Sequence, residues 1–147
     1  MSYSLDANIL LDASNQTSPW HEPARRFLTQ CMQNDEPLFL TWPVIMAYLR
    51  ISTHPSIFDE PLSKVTAEAN VTTLLNQPHV RLLSENEDFW QVYRDVTRSL
   101  QIRGNVVMDA RIAALLKQAG VSKIYTRDGD FDAFDFLVNL HPFEQRD

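Results

Sequence analysis

Short unbroken apolar runs alternate along this chain with longer stretches whose apolar residues recur every three or four positions. The first period suits buried strands and the second suits amphipathic helices. Tyr3 to Leu11 opens as a short buried strand that closes at Asp6, with a helical turn starting near Asn8, a residue type that caps helices. Ser18-Pro19-Trp20 predicts the start of a helix running to about Gln33, because a Ser cap and a first-turn Pro both suit an N-terminus. Ala24, Phe27, Leu28 and Cys31 form its apolar face. Leu38-Phe39-Leu40 predicts a second strand, and Thr41 is expected to cap a helix that ends before His54-Pro55. Ser63 caps a helix to about Asn76, and Val80 to Leu83 predicts a third strand. Ser84 and Glu87 have capping-box spacing, which predicts a helix to about Ile102. After Arg103-Gly104-Asn105, a helix over Val106–Ala119 ends at Gly120. Lys123 to Thr126 and Phe136 to Leu140 complete the strands.

Alternation of this kind predicts an α/β fold with a central, mostly parallel sheet of four or five strands. With 147 residues and no repeat, linker or composition shift, residues 1–147 are expected to form one domain. The composition is 44% apolar and 22% charged, which excludes a disordered chain. No window of 18 uninterrupted apolar residues exists, so no membrane helix is expected. The single cysteine, Cys31, cannot form an internal disulfide. With no basic, apolar leader at the start, the expected location is the cytoplasm. The net charge of −6 argues against sequence-independent binding to long duplex DNA, although a bound cation would still let a nucleic acid approach.

Candidate chemistry gathers on aspartates. Ligands of parallel sheets sit beyond the carboxyl ends of strands. Asp6 closes the first strand, Asp128 follows the fourth, and Asp109 lies in the first turn of the helix after Gly104-Asn105. Carboxylates beside apolar runs need compensation, and a divalent cation shared among them provides it. Oxygen-only ligation suits Mg²⁺ or Mn²⁺ rather than zinc. Asp130 stands two residues from Asp128 and is an accessory candidate. Asp128 does not begin an EF-hand loop, since the required Gly and Glu positions hold Ala133 and Asn139. Three glycines in all leave no phosphate-binding glycine loop. A haloacid-dehalogenase-type phosphatase would need an acid where Asn8 stands. Arg103 and Arg127 flank the acidic positions and are candidates for phosphate contact.

The strand ending in Asp6-x-Asn8, the Gly104-Asn105-Val-Val-Met-Asp109-Ala110-x-Ile112-Ala113-Ala114 stretch and Thr126-Arg127-Asp128-x-Asp130-Phe131 together resemble the motifs of PIN-domain ribonucleases. More narrowly they resemble the VapC toxins of bacterial toxin–antitoxin pairs. The Leu49–Pro55 segment is similar to one VapC subgroup. The resemblance implies a three-layer α/β/α domain and Mg²⁺- or Mn²⁺-dependent endoribonuclease activity. It also implies a homodimer and a small antitoxin partner. The family's metal ligands then map onto Asp6, Asp109 and Asp128, with Asp130 accessory, and Asn8 and Thr126 match polar positions that shape the site. One departure stands out: many members carry a Glu near Ala47, whereas no acid occurs between Thr41 and Phe58 here. The alternative expectation is a PIN-like domain that binds RNA or protein without cutting.

Overall fold

Tyr3, Ser4 and Leu5 are all buried, although alternate residues of a strand point to opposite faces. Both faces of this strand, β1 (Tyr3–Leu5), are therefore covered, as parallel sheets require. The computed structural model describes residues 1–143; the last four positions of the expected 1–147 domain lie outside the described residues. After β1 come α1 (Ala7–Ser14), α2 (His21–Gln33), β2 (Leu38–Thr41), α3 (Trp42–Ser52) and α4 (Lys64–Leu75). β3 (Val80–Leu83), α5 (Phe89–Thr97), α6 (Val106–Gln118), β4 (Lys123–Tyr125), a 3-10 turn (Gly129–Ala133) and β5 (Val138–Leu140) follow. The five strands pair in the order β3-β2-β1-β4-β5, every pair parallel. Helices on the two faces complete a three-layer α/β/α fold, as expected.

The core is built where the sheet meets its helices: Leu5, Leu38, Leu40 and Ile124 from strands, Ile9, Val44 and Ile45 from helices, all essentially inaccessible. Six of the seven residues from Ala110 to Leu116 are buried, Arg111 being the exception, so α6 is the most enclosed helix of the site region. It ends as its sequence predicts. Gly120 takes φ +72°, its N–H reaches the Lys117 carbonyl (3.2 Å), and the Val121 N–H reaches that of Leu116 (2.9 Å). Paired closing bonds of this kind need a left-handed residue that glycine adopts without strain.

Several boundaries differ from expectation. Asp6, not Asn8, caps α1, accepting the Ala7 N–H at 2.7 Å. Ser18 holds the turn before α2 by accepting the Trp20 N–H (3.1 Å), and the helix begins only at His21. α5 is nine residues long because the Ser84/Glu87 box is not used. Asn86 instead accepts the Asp88 N–H at 2.9 Å, which turns the chain before the helix can start. Thr41 ends β2, and its buried hydroxyl has no partner among the described residues, so it does not cap α3. Ser63 caps α4 as predicted, accepting the Thr66 N–H at 3.1 Å.

Candidate active site

The strand order reverses at β1, whose neighbours β2 and β4 lead away in opposite directions. A crevice opens at such a switch point beyond the carboxyl ends of the strands. Asp6 leaves β1 into it and Thr126 leaves β4 into it. The Asp6 N–H bonds the Tyr125 carbonyl at 3.0 Å, and the Thr126 N–H bonds that of Leu140 at 2.9 Å, so both exits are fixed by the sheet.

Thr126 is buried and fully used. Its hydroxyl donates to Asp6 Oδ2 (2.8 Å) and accepts from Asn8 Nδ2 (3.0 Å) and from the Asp128 N–H (3.0 Å). Asn8 Oδ1 accepts the Arg127 N–H at 3.3 Å. Asp128 Oδ1 accepts the Asp130 N–H at 3.0 Å, which starts the 3-10 turn, and Asn139 Nδ2 holds the Asp128 carbonyl at 2.9 Å. Asn8 and Thr126 thus knit two strand ends together.

The electrostatics identify which acids are neighbours. Burial raises the Asp6 pKa above the usual carboxylate range, against hydrogen bonds from Thr126 and Ala7 that lower it, and Asp128 and Asp130 add repulsion. Asp109 is pushed up to about 6, first by burial and then by the charges of Asp6, Asp130 and Asp128. Asp130 is raised chiefly by Asp128. Four aspartates from three distant segments therefore share one field. Among the described residues, no group of three or more His, Cys, Asp or Glu side chains is drawn together closely enough to hold an ion as it stands. The four carboxylates share a field without forming a closed ligand cluster.

The two arginines are placed differently from each other. Arg103 is exposed beyond α5, its Nη2 donating to Gln101 Oε1 at 3.2 Å. Arg127, a candidate phosphate contact, is exposed yet ion-paired. Its guanidinium turns to α1 and grips Asp12, Nε to Oδ2 at 2.5 Å and Nη2 to Oδ1 at 3.2 Å. Sequence reasoning passed over Asp12, which reads as an ordinary helix position. It also passed over Tyr48, whose buried hydroxyl meets Ser14 Oγ (2.7 Å) and Asn70 Nδ2 (2.9 Å). That trio lies in a groove of about 630 Å³ lined also by Leu28, Leu62 and Leu74, and none of the four aspartates lines it.

Comparison with known proteins decides the family. The PIN domain profile matches residues 3–137. Ribonuclease VapC48 of Mycobacterium tuberculosis is 35% identical over 143 residues, 97% of this chain and 99% of that protein. The chain belongs to the PIN-domain VapC ribonucleases. The family expected from the aspartate motifs is therefore borne out, and with it the assignment as a nuclease of the endoribonuclease-toxin type. Among solved structures, that of Mycobacterium tuberculosis VapC20, a sarcin-ricin loop cleaving toxin, superposes with a TM-score of 0.64 at 18% identity, covering 89% of this chain and 93% of that one. VapBC2 from Rickettsia felis, solved bound to a DNA fragment from its promoter, superposes at 0.67 and 17% identity, covering 95% and 97%. At those identities the VapC structures speak for the fold. Among the described residues, no helix of this VapC-family chain is long and apolar enough to cross a membrane.

Proposed function

We propose that the protein is the toxin of a toxin–antitoxin pair, a cytoplasmic endoribonuclease that hydrolyses RNA with a carboxylate-held Mg²⁺ or Mn²⁺. The observation that carries this reading is the shared field of Asp6 and Asp128, beyond the carboxyl ends of adjoining strands, with Asp130 and with Asp109 from the first turn of α6. The donor set fits a hard divalent ion, since it offers carboxylate oxygens with no thiolate or imidazole among them. Asp6, Asp109 and Asp128 would hold the ion, with Asp130 assisting. When bound, such an ion supplies the positive charge that lets a phosphodiester enter an acidic crevice and that acidifies nearby water.

The chain's own residues prepare that crevice. Thr126 and Asn8 fix the Asp6 carboxylate, so little reorganisation remains for it on loading. Among the described residues Asp109 has no such partner, and it stays free to adjust. Arg103, exposed just before α6, would be available to meet a phosphate. Attack of water on phosphorus then breaks the P–O3′ bond, leaving a 3′-hydroxyl and a 5′-phosphate.

The partners follow from surface chemistry. Trp42 and Met46, 37% and 54% exposed, stand one turn apart on α3 and support a homodimer through an apolar face. An antitoxin would offset the acidic field with a basic side chain, an Arg pairing bidentately with two aspartates. The groove of Leu28, Leu62 and Leu74 is apolar enough to seat part of such a partner. One observation favours the non-cutting alternative: α3 carries no acid, although the family resemblance leads one to expect a Glu near Ala47.

The test is purified protein with total RNA in Mg²⁺, in Mn²⁺ and in EDTA, beside Asp128→Asn. Cleavage by wild type with either metal, lost in EDTA and in the variant, is the expected result. Cleavage that persists in EDTA would overturn the metal reading, and no cleavage under any condition would install the non-cutting one.

A further inference from the structure

Asp12 carries a side chain only 7% exposed, and a buried carboxylate is stable only when its charge is answered. Here the answer comes from 115 residues away. Arg127 presents its planar fork to both oxygens, and Ser18 Oγ donates a further bond to Oδ1 at 3.0 Å. The Arg127 guanidinium also lies 6.0 Å from the ring centre of Trp20, so it is flanked by an aromatic face as well as the carboxylate.

The direction of these contacts matters more than their number. Asn8 and Asp12 are four residues apart, hence neighbours on one side of α1. Asn8 takes the Arg127 backbone N–H, and Asp12 takes its side chain. Just before them Asp6 takes the Thr126 hydroxyl. One helix thus grips two successive residues, Thr126 and Arg127, at backbone and side chain. The next residue is Asp128. Arg127 stands where a phosphate contact would be expected, yet its guanidinium is already paired with Asp12.

We infer that Asp12 and Arg127 are a positioning pair that locks the Thr126–Asp130 turn to α1 and so sets the place of Asp128 relative to Asp6. Neither residue touches substrate. The lock is made by contacts within the chain itself, and only its consequence for ion binding rests on the proposed function. Lysine keeps the charge of Arg127 but loses the two-pronged geometry, so it is the informative replacement. Asn at position 12 keeps an acceptor but removes the charge.

The test uses the full chain, metal-free, as wild type, Arg127→Lys, Asp12→Asn and the milder Ser18→Ala. Amide hydrogen exchange is followed at Asp128 and Asp130, with Ala113 and Leu115 in α6 as the internal reference, and Mn²⁺ binding is then titrated by EPR. In Arg127→Lys and Asp12→Asn the Asp128 and Asp130 amides should exchange about tenfold faster while the α6 amides stay protected. Mn²⁺ affinity should fall about fivefold or more, and Ser18→Ala should move both readings the same way by less. Should Arg127→Lys or Asp12→Asn fail to fold, Ser18→Ala alone decides, by its exchange at Asp128. Exchange at Asp128 and Asp130 that follows the α6 amides in every folded variant would overturn the inference. A wild type that binds no Mn²⁺, with the local loosening still seen in the variants, would support the lock and sink the metal-dependent function instead.

Discussion

The two sides of the acidic site are built on different terms. Asp6 is held: its Oδ1 caps α1, its Oδ2 receives Thr126, and Asn8 lies beside it at 3.5 Å. Asp109 is not held. Burial and three neighbouring carboxylates lift its pKa to about 6, and no hydrogen bond from the described residues opposes the rise. One side is organised before any ion arrives. The other is a group whose charge costs the fold until a cation balances it. The difference predicts that removing the hydroxyl that holds Asp6 and removing the charge of Asp109 will have opposite effects on stability.

The largest expected effect is on activity. Asp6→Asn, Asp109→Asn and Asp128→Asn should each lower RNA cleavage by roughly a hundredfold or more, read as initial rate in excess Mg²⁺, since each removes charge from a Lewis-acid site. A variant that cuts at near wild-type rate would show that its residue is not a ligand. Stability then separates the sides. Thr126→Val should cost about 1–3 kcal/mol in denaturant unfolding, because it strands Asn8 and Asp6 beside a buried methyl group. Asp109→Asn should instead raise the melting temperature of the metal-free protein.

Acidity offers a gentler version of the same comparison. Asp6, Asp109 and Asp130 all have pKa values raised by folding. Such acids bind more protons folded than unfolded, so their contribution is full below the unfolded value and is lost as pH rises through the folded one. The metal-free protein should therefore melt higher at about pH 5 than at about pH 7, with much of the difference gone in Asp109→Asn. The gain should not continue far below that window. Glu85 is held low by Arg111, so its contribution runs the other way and is lost on acidification. The smallest effect concerns α3. Ala47→Glu should shift the metal dependence of cleavage to lower concentration if the new carboxylate faces the crevice, by restoring oxygen ligands for a second ion.

How much of this was legible in the sequence depends on distance along the chain. The strands show as apolar runs and α6 ends at Gly120, because these signals are local. Asp6, Asp109 and Asp128 stand out because a strand end or first turn marks each one. The cap of α1 was misplaced by two residues, since Asp6 and Asn8 are equally good capping types and only the strand exit decides between them. α5 starts at Phe89 rather than after Ser84 because Asn86 closes a turn that competes with the capping box. The Asp12–Arg127 grip has no local signature at all. Its members are separated by 115 residues, and Asp12 sits in a stretch where a solvated aspartate would look the same.

The central claim is that Asp109 waits for a cation which Asp6 is already shaped to receive. Thermal melting of wild type and Asp109→Asn, each with EDTA and with millimolar Mn²⁺, tests it most directly, because a ligand that binds only the folded state raises its stability. Without metal the variant should melt above wild type, by a few degrees for each kcal/mol of repulsion relieved. With Mn²⁺ wild type should climb to meet or pass it while the variant rises much less. Equal Mn²⁺ shifts in the two proteins, or a variant that melts below wild type in EDTA, would contradict the account.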